Sequence, residues 1–129
     1  YEIRNKMAES LWNNVGIFRV EEEMQQALKD INDLIEAYKD TYIEDESENY
    51  NTAFLQYIEV GNLLNLAKSV TMGAIARKES RGSHSRMDYP VRNDAQFLKH
   101  TLVYKKGEEF TLEYAPVSIT KYQPEERKY

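Results

Sequence analysis

Residues 77–90, Arg77-Lys78-Glu79-Ser80-Arg81-Gly82-Ser83-His84-Ser85-Arg86-Met87-Asp88-Tyr89-Pro90, hold the densest set of reactive side chains in the chain. One His, four other cations and two carboxylates fall within them. Such a set could supply a general base, His84 oriented by Asp88, or a hydroxyl nucleophile, Ser80 or Ser83, activated by His84. Neither reading has its framework. A hydrolase-type nucleophile needs a Gly-x-Ser-x-Gly turn between strand and helix, and this segment has none. Residues adjacent along a loop do not fix one another's geometry. Metal ligation needs paired ligands, and the other His, His100, stands far off without a helical partner. Gly82 alone cannot cradle a phosphate. No catalytic residue, cofactor-binding residue or metal ligand is therefore expected. Arg77, Arg81 and Arg86 are planar five-donor forks that bind carboxylates and carbonyls bidentately. The segment reads as a bridge between elements that also docks on another domain, through Arg77, Glu79, Arg81, Gly82, His84, Arg86, Asp88 and Tyr89. His84 is expected to be a hydrogen-bonded hinge, and Asp88-Tyr89-Pro90 a turn.

Three helices must position this loop. Ile3, Met7 and Leu11 share one face of a first helix over 1–13, with Trp12 beside them. Asn14-Val15-Gly16 ends it, with Gly16 best able to adopt a left-handed conformation. Met24, Leu28, Ile31, Leu34 or Ile35, Tyr38 and Tyr42 form one stripe on a second helix opened by Glu21-Glu22-Glu23. Thr41 to Asn49 is an acidic connection. A third helix runs over 51–78, capped by Asn51 or Thr52, with Gly61 and Gly73 inside it. Gly73-Ala74 with Ala76 points to a close neighbour there. The fold class is mainly α: a three-helix antiparallel bundle resembling a spectrin repeat, followed by an irregular loop and a small C-terminal β-hairpin. Asn93 can cap a single turn over 94–98. Thr101–Tyr104 and Phe110–Tyr114 alternate about a Lys106-Gly107-Glu108 turn. Val117-Ser118-Ile119-Thr120 reads as a further short strand, and 123–128 as a polar tail. The chain reads as one domain over 1–129, divided into a bundle (1–79), the Arg-rich loop (80–98), and hairpin plus tail (99–129).

At 41% hydrophobic and 12% aromatic the chain is too apolar for disorder. Its net charge of −5 argues against nucleic acid. No apolar run is long enough for direct membrane insertion. The absence of Cys excludes disulfides and thiol or iron–sulfur chemistry through this chain. Trp12, Phe18, Phe54, Tyr57 and Tyr89 are expected in the core. The ten tyrosines exceed what such a core can satisfy, so some should lie on a surface covered in a larger protein.

Residues 77–90 resemble a signature of the C-terminal domain of succinate dehydrogenase and fumarate reductase flavoproteins, R-x-E-S-R-G-A-H-x-R-x-D-Y-P. Met7, Trp12, Gly16, Phe18 and Arg19 fit the family's M-x-x-x-x-W-x-x-x-G-x-F-R. Lys99-His100-Thr101 is similar to its hairpin start, and Pro124, Arg127 and Tyr129 to its P-x-x-R-x-Y ending. Ser83 departs from the usual Ala, Asn93 from Asp and Phe97 from Trp. L-aspartate oxidase shares an E-S-R-G-x-H segment, but Arg86 and the Arg-x-Tyr ending favour the dehydrogenase branch. The alternatives are an L-aspartate oxidase C-terminal domain and a free-standing helical protein-binding module. The resemblance implies a parent that binds FAD, interconverts succinate and fumarate, and passes electrons to an iron–sulfur subunit with membrane anchors beyond. It places the flavin-binding and dicarboxylate-gripping residues upstream, so this domain would be non-catalytic. Its implied partners are the FAD-binding and capping domains and the iron–sulfur subunit. Its implied location is cytoplasmic, or peripheral on the inner face of a membrane.

Overall fold

A computed structural model describes residues 1–125 of the chain. The elements in order are α1 (Glu2–Asn14), β1 (Phe18–Arg19), α2 (Glu21–Lys39), α3 (Thr52–Ala76), β2 (Ser85–Arg86), α4 (Asp94–Phe97), β3 (Lys99–Lys106) and β4 (Glu109–Pro116). The molecule is mainly helical, a three-helix bundle with an antiparallel hairpin laid against α3. Asn51 caps α3 by accepting from the Phe54 amide at 2.7 Å, and Asn93 caps α4 by accepting from Gln96 N. Gly107, at φ +62°, turns the chain between β3 and β4.

The core forms two small clusters. Met7, Ile31, Leu64 and Ala67 fill one, with Ile3, Leu11, Leu34, Ile35, Tyr38 and Val60 against it. Val15, Met24, Ala27 and Ala74 fill the other. On α2 Met24, Ala27 and Ile31 are fully covered, whereas Leu28 is half-buried. Met24 and Ile31 lie in the core as expected, and Ala27 takes the place of Leu28 because α1 and α3 both press on the Met24–Ala27–Ile31 edge. Tyr42 lies beyond the helix, in solvent. Thr71 is fully buried on α3, and its hydroxyl has no partner among the described residues.

Several expectations are corrected. Trp12 (84% exposed) and Phe18 (68%) stand out into solvent, and Phe54 and Tyr89 are also exposed. Tyr57 is half-buried, its ring stacked on Tyr38 at 4.6 Å. Size and apolarity indicate that a side chain needs cover, but not that this chain supplies it. Gly16 does not adopt a positive φ. It is needed because a Cβ there would lie 2.8 Å from the Trp12 carbonyl oxygen. The tight helical glycine is Gly61, where a Cβ would meet the Tyr38 hydroxyl at 2.6 Å; Gly73 faces the Thr101 and Val103 methyls at ordinary distances. Residues 117–120 form no strand. The parallel pairing of β1 with β2, Phe18 opposite Ser85 and Arg19 opposite Arg86, has no sequence period because each strand is two residues long. Arg127 and Tyr129 lie outside the described residues.

Candidate functional site

The end of α3, the start of α2 and the start of β3 converge on residues 77–94. A helix leaves its last carbonyls and first amides without intrahelical partners. Arg86, 0% exposed, serves the carbonyl end directly and the amide end through Asp88. Its Nη1 donates to the Ala74 and Ile75 carbonyls at 3.2 Å each and to the Arg77 carbonyl at 3.4 Å, closing the C-terminus of α3. A cation there also suits the negative end of the helix dipole. Its Nε and Nη2 form a bidentate pair with Asp88, both at 2.7 Å, and Nη2 reaches Glu21 at 3.1 Å. Asp88 in turn accepts from the Glu21 amide at 3.1 Å. That amide opens α2, whose N-cap residue Val20 has no side-chain acceptor. The hydrogen bonds from Arg86 pull the Asp88 carboxyl down to about 2 and raise the Arg86 guanidinium.

Glu79 is the second centre, also 0% exposed. One oxygen accepts from Arg77 and from Arg81 Nε at 2.8 Å. The other accepts from Arg81 Nη2 at 3.2 Å and from the Asn93 amide at 2.7 Å. Burial alone would raise this carboxyl, but the bonds from Arg81, Asn93 and Arg77 outweigh it and hold the group below its usual value. Arg77 also donates to the Phe97 carbonyl at 2.8 Å, the Lys99 carbonyl and Thr101 Oγ1, tying α3 to β3. Asp94 binds Arg81 and, at 2.9 Å, Arg92.

His84 sits between these centres. Arg19 Nη1 lies 2.9 Å from His84 Nδ1, and His84 Nε2 lies 3.0 Å from the Arg77 carbonyl. A guanidinium has donors only, so Nδ1 accepts, Nε2 carries the hydrogen, and the ring is neutral. Burial depresses the His84 pKa, and the charges of Arg19, Arg86 and Arg77 add to the effect, outweighing the bond to the Arg77 carbonyl.

The geometry does not assemble the catalytic readings. Asp88 faces Arg86 and Glu21 rather than His84. The Ser80 hydroxyl accepts from the Arg86 amide at 2.8 Å and donates to the Tyr89 carbonyl at 2.9 Å. Among the described residues no cluster of His, Cys, Asp or Glu could hold a metal. Gly82, at φ +59°, turns the chain so that Arg81 and His84 exchange backbone hydrogen bonds. Met87, Asp88 and Tyr89 form the exposed crest of the loop, with the Arg86 guanidinium 5.0 Å from the Tyr89 ring centre. Sequence reasoning gathered Arg77, Glu79, Arg81, His84, Arg86 and Asp88, which the fold brings together. It missed Arg19, Glu21, Asn93 and Asp94 as their partners. Glu21 carried one usable signal, the lack of a capping side chain at Val20.

A family model described as "Fumarate reductase flavoprotein C-term" matches residues 4–129. This chain belongs to that family. The fumarate reductase flavoprotein subunit of Haemophilus influenzae is 43% identical over 129 residues, covering 99% of this chain and 22% of the relative. The 8-methylmenaquinol:fumarate reductase flavoprotein subunit of Wolinella succinogenes is 41% identical, covering 100% and 21%. The FrdA chain of an Escherichia coli quinol fumarate reductase superposes with a TM-score of 0.94 at 39% identity, covering 97% of this chain and 22% of that one. The family member described here thus spans about a fifth of the length of these relatives. Its fold is that of the C-terminal domain of a fumarate reductase or succinate dehydrogenase flavoprotein subunit.

The residues present do not fit FAD. A dinucleotide site sets its pyrophosphate on a Gly-rich turn at a helix N-terminus. Here β1 leads through Val20 into Glu21-Glu22-Glu23, carboxylates that would repel phosphate. The N-terminus of α3 is filled by its own Asn51 cap.

Proposed function

We propose that this domain is the non-catalytic C-terminal part of an FAD-dependent oxidoreductase that interconverts succinate and fumarate. The reading rests on the family match over 4–129. In the parent, the domain packs against the FAD-binding and capping domains, and the whole subunit works beside an iron–sulfur subunit. No helix among the described residues is long and apolar enough to cross a membrane. On this reading the parent complex carries the domain in the cytoplasm or on a membrane's inner face. Glu79 and Arg86, expected in the docking set, are 0% exposed and instead fix the loop from within, with Arg77, Arg81 and His84; the exposed Gly82, Asp88 and Tyr89 are left to face the neighbouring domain.

The test is a comparison of the full-length flavoprotein with the 129-residue chain, by flavin absorbance and by succinate-dependent dye reduction. The full-length protein is expected to hold flavin and turn over, and the short chain to do neither. Stoichiometric flavin on the short chain overturns the assignment.

A further inference from the structure

Helix α3 carries more large apolar residues than its core contacts use, alongside the polar Gln56, Glu59, Asn62, Asn65 and Lys68. One side builds the core through Val60, Leu64, Ala67 and Ala74. A second meets the hairpin at Gly73, opposite Thr101 and Val103. Nearer the start of the helix, before the hairpin contact at Gly73, Leu55, Leu63, Leu66 (61% exposed) and Val70 (55%) face solvent. Exposed large apolar side chains gathered on one side of a helix mark a surface that a partner covers.

Helix α1 extends this bare side. Met7 packs with Leu64 and Ala67, and Val15 with Ala74, so α1 runs alongside α3 and Trp12, between Met7 and Val15, falls at the height of the turn bearing Val70. Arg4, Ala8 and Trp12 recur every four residues on one side of α1. Arg4 shares a cleft of about 650 Å³ with Val60 and Leu63, which sets that side next to the bare face of α3. Beyond Trp12, Ile17 and Phe18 are also exposed, and β1 carries the face to the loop crest, where the Met87 amide donates to the Arg19 carbonyl at 2.9 Å. The opposite groove, between α1 and α2, is polar: Lys6, Glu9, Ser10, Asn13, Asp30 and Asp33 line it.

We propose that the α1–α3 face, centred on Trp12, Leu63, Leu66 and Val70, is the surface on which the rest of the parent flavoprotein chain seats. The proposal rests on the functional reading above and specifies the face. Nearly four-fifths of each relative's length lies outside the matched region, and a tethered neighbour binds at high effective concentration, so a modest apolar patch is sufficient. Trp12, Leu63, Leu66 and Val70 hold no charge, and Arg4 and Glu59 flank them at one end; a permanent interface likewise keeps charge away from its centre. A lipid surface would call for a basic flank, whereas Arg4 is matched here by Glu59, which lies on the stripe between Leu55 and Leu63 and lines the same cleft, and the chain has a net charge of −5.

Hydroxyl-radical footprinting of the full-length flavoprotein tests this. Trp12, Leu66 and Val70, normalised for intrinsic reactivity, are expected to label at least tenfold more slowly than Tyr42 and Tyr50, at a rate independent of protein concentration. As a second measure, the double variant Leu66→Glu, Val70→Glu is expected to lower the melting temperature and flavin retention of the full-length protein, while Lys6→Gln with Asp33→Asn changes neither. Labelling of Trp12 and Leu66 at the Tyr42 rate in a flavin-loaded, active enzyme overturns the docking face and leaves the functional reading intact. Protection that disappears on dilution assigns the face to a second copy, and protection that requires anionic vesicles assigns it to lipid; either result also overturns the proposal. A full-length protein without flavin or turnover strikes the functional reading instead.

Discussion

The bundle core and the arginine brace hold the same domain by opposite means. The core is thin: Met7, Ile31, Leu64 and Ala67 in one cluster, Val15, Met24, Ala27 and Ala74 in the other. Its contacts are non-directional, so each loss is graded by the area and volume removed. The brace places Arg86 and Glu79 out of reach of solvent and satisfies each through several directed bonds. There a deletion strands charged partners as well as removing an attraction. In a domain with so small a core, directed polar bonds fix how the ends of α2, α3 and β3 meet.

The largest expected effect in that comparison is Arg86→Ala. It leaves Asp88 and Glu21 without their shared cation and removes the donor from the α3 carbonyls. The loss should be roughly 3–5 kcal/mol in denaturant unfolding of the chain. Arg86→Lys should recover little, because an ammonium cannot span Asp88 and the helix end together. A loss under about 1 kcal/mol for Arg86→Ala would break the comparison, since the brace would then be ornamental to stability.

Within the core the expected effects are graded. Ile31→Ala, at a fully covered site, should cost about 2–4 kcal/mol. Leu28→Ala, half-buried on the same helix, should cost about 1 kcal/mol. Thermal melts of the two variants that coincide would mean that Leu28 is as much a core position as Ile31.

The smallest effect is a pH dependence that the apolar core lacks. The folded His84 pKa is depressed, while in the unfolded chain a His titrates near ~6.5. The unfolded chain therefore binds the proton first as pH falls, and stability declines from about pH 6.5 downward until the folded ring is also protonated. Protonation puts a hydrogen on Nδ1 where Arg19 already donates. Urea unfolding midpoints measured between about pH 7.5 and 5 should fall for the parent chain and be flatter for His84→Gln. Equal slopes would remove His84 from the brace's electrostatics.

The sequence by itself determined the three helices, the hairpin and those members of the polar set that lie within residues 77–90. Each is written locally: a period of four and three on α2, alternation on either side of Gly107, and forked cations within fourteen residues of one another. The resemblance over residues 77–90 named the family before any geometry was known. Only the tertiary structure decided which residue answers which. Arg19 on His84, Glu21 beneath Arg86 and Asn93 on Glu79 are pairings between elements remote along the chain, and a linear pattern holds no distance between them. It also decided the fate of the aromatics. Trp12 and Phe18 are apolar enough for a core, but burial is a property of what stands opposite, and the described chain places nothing opposite them.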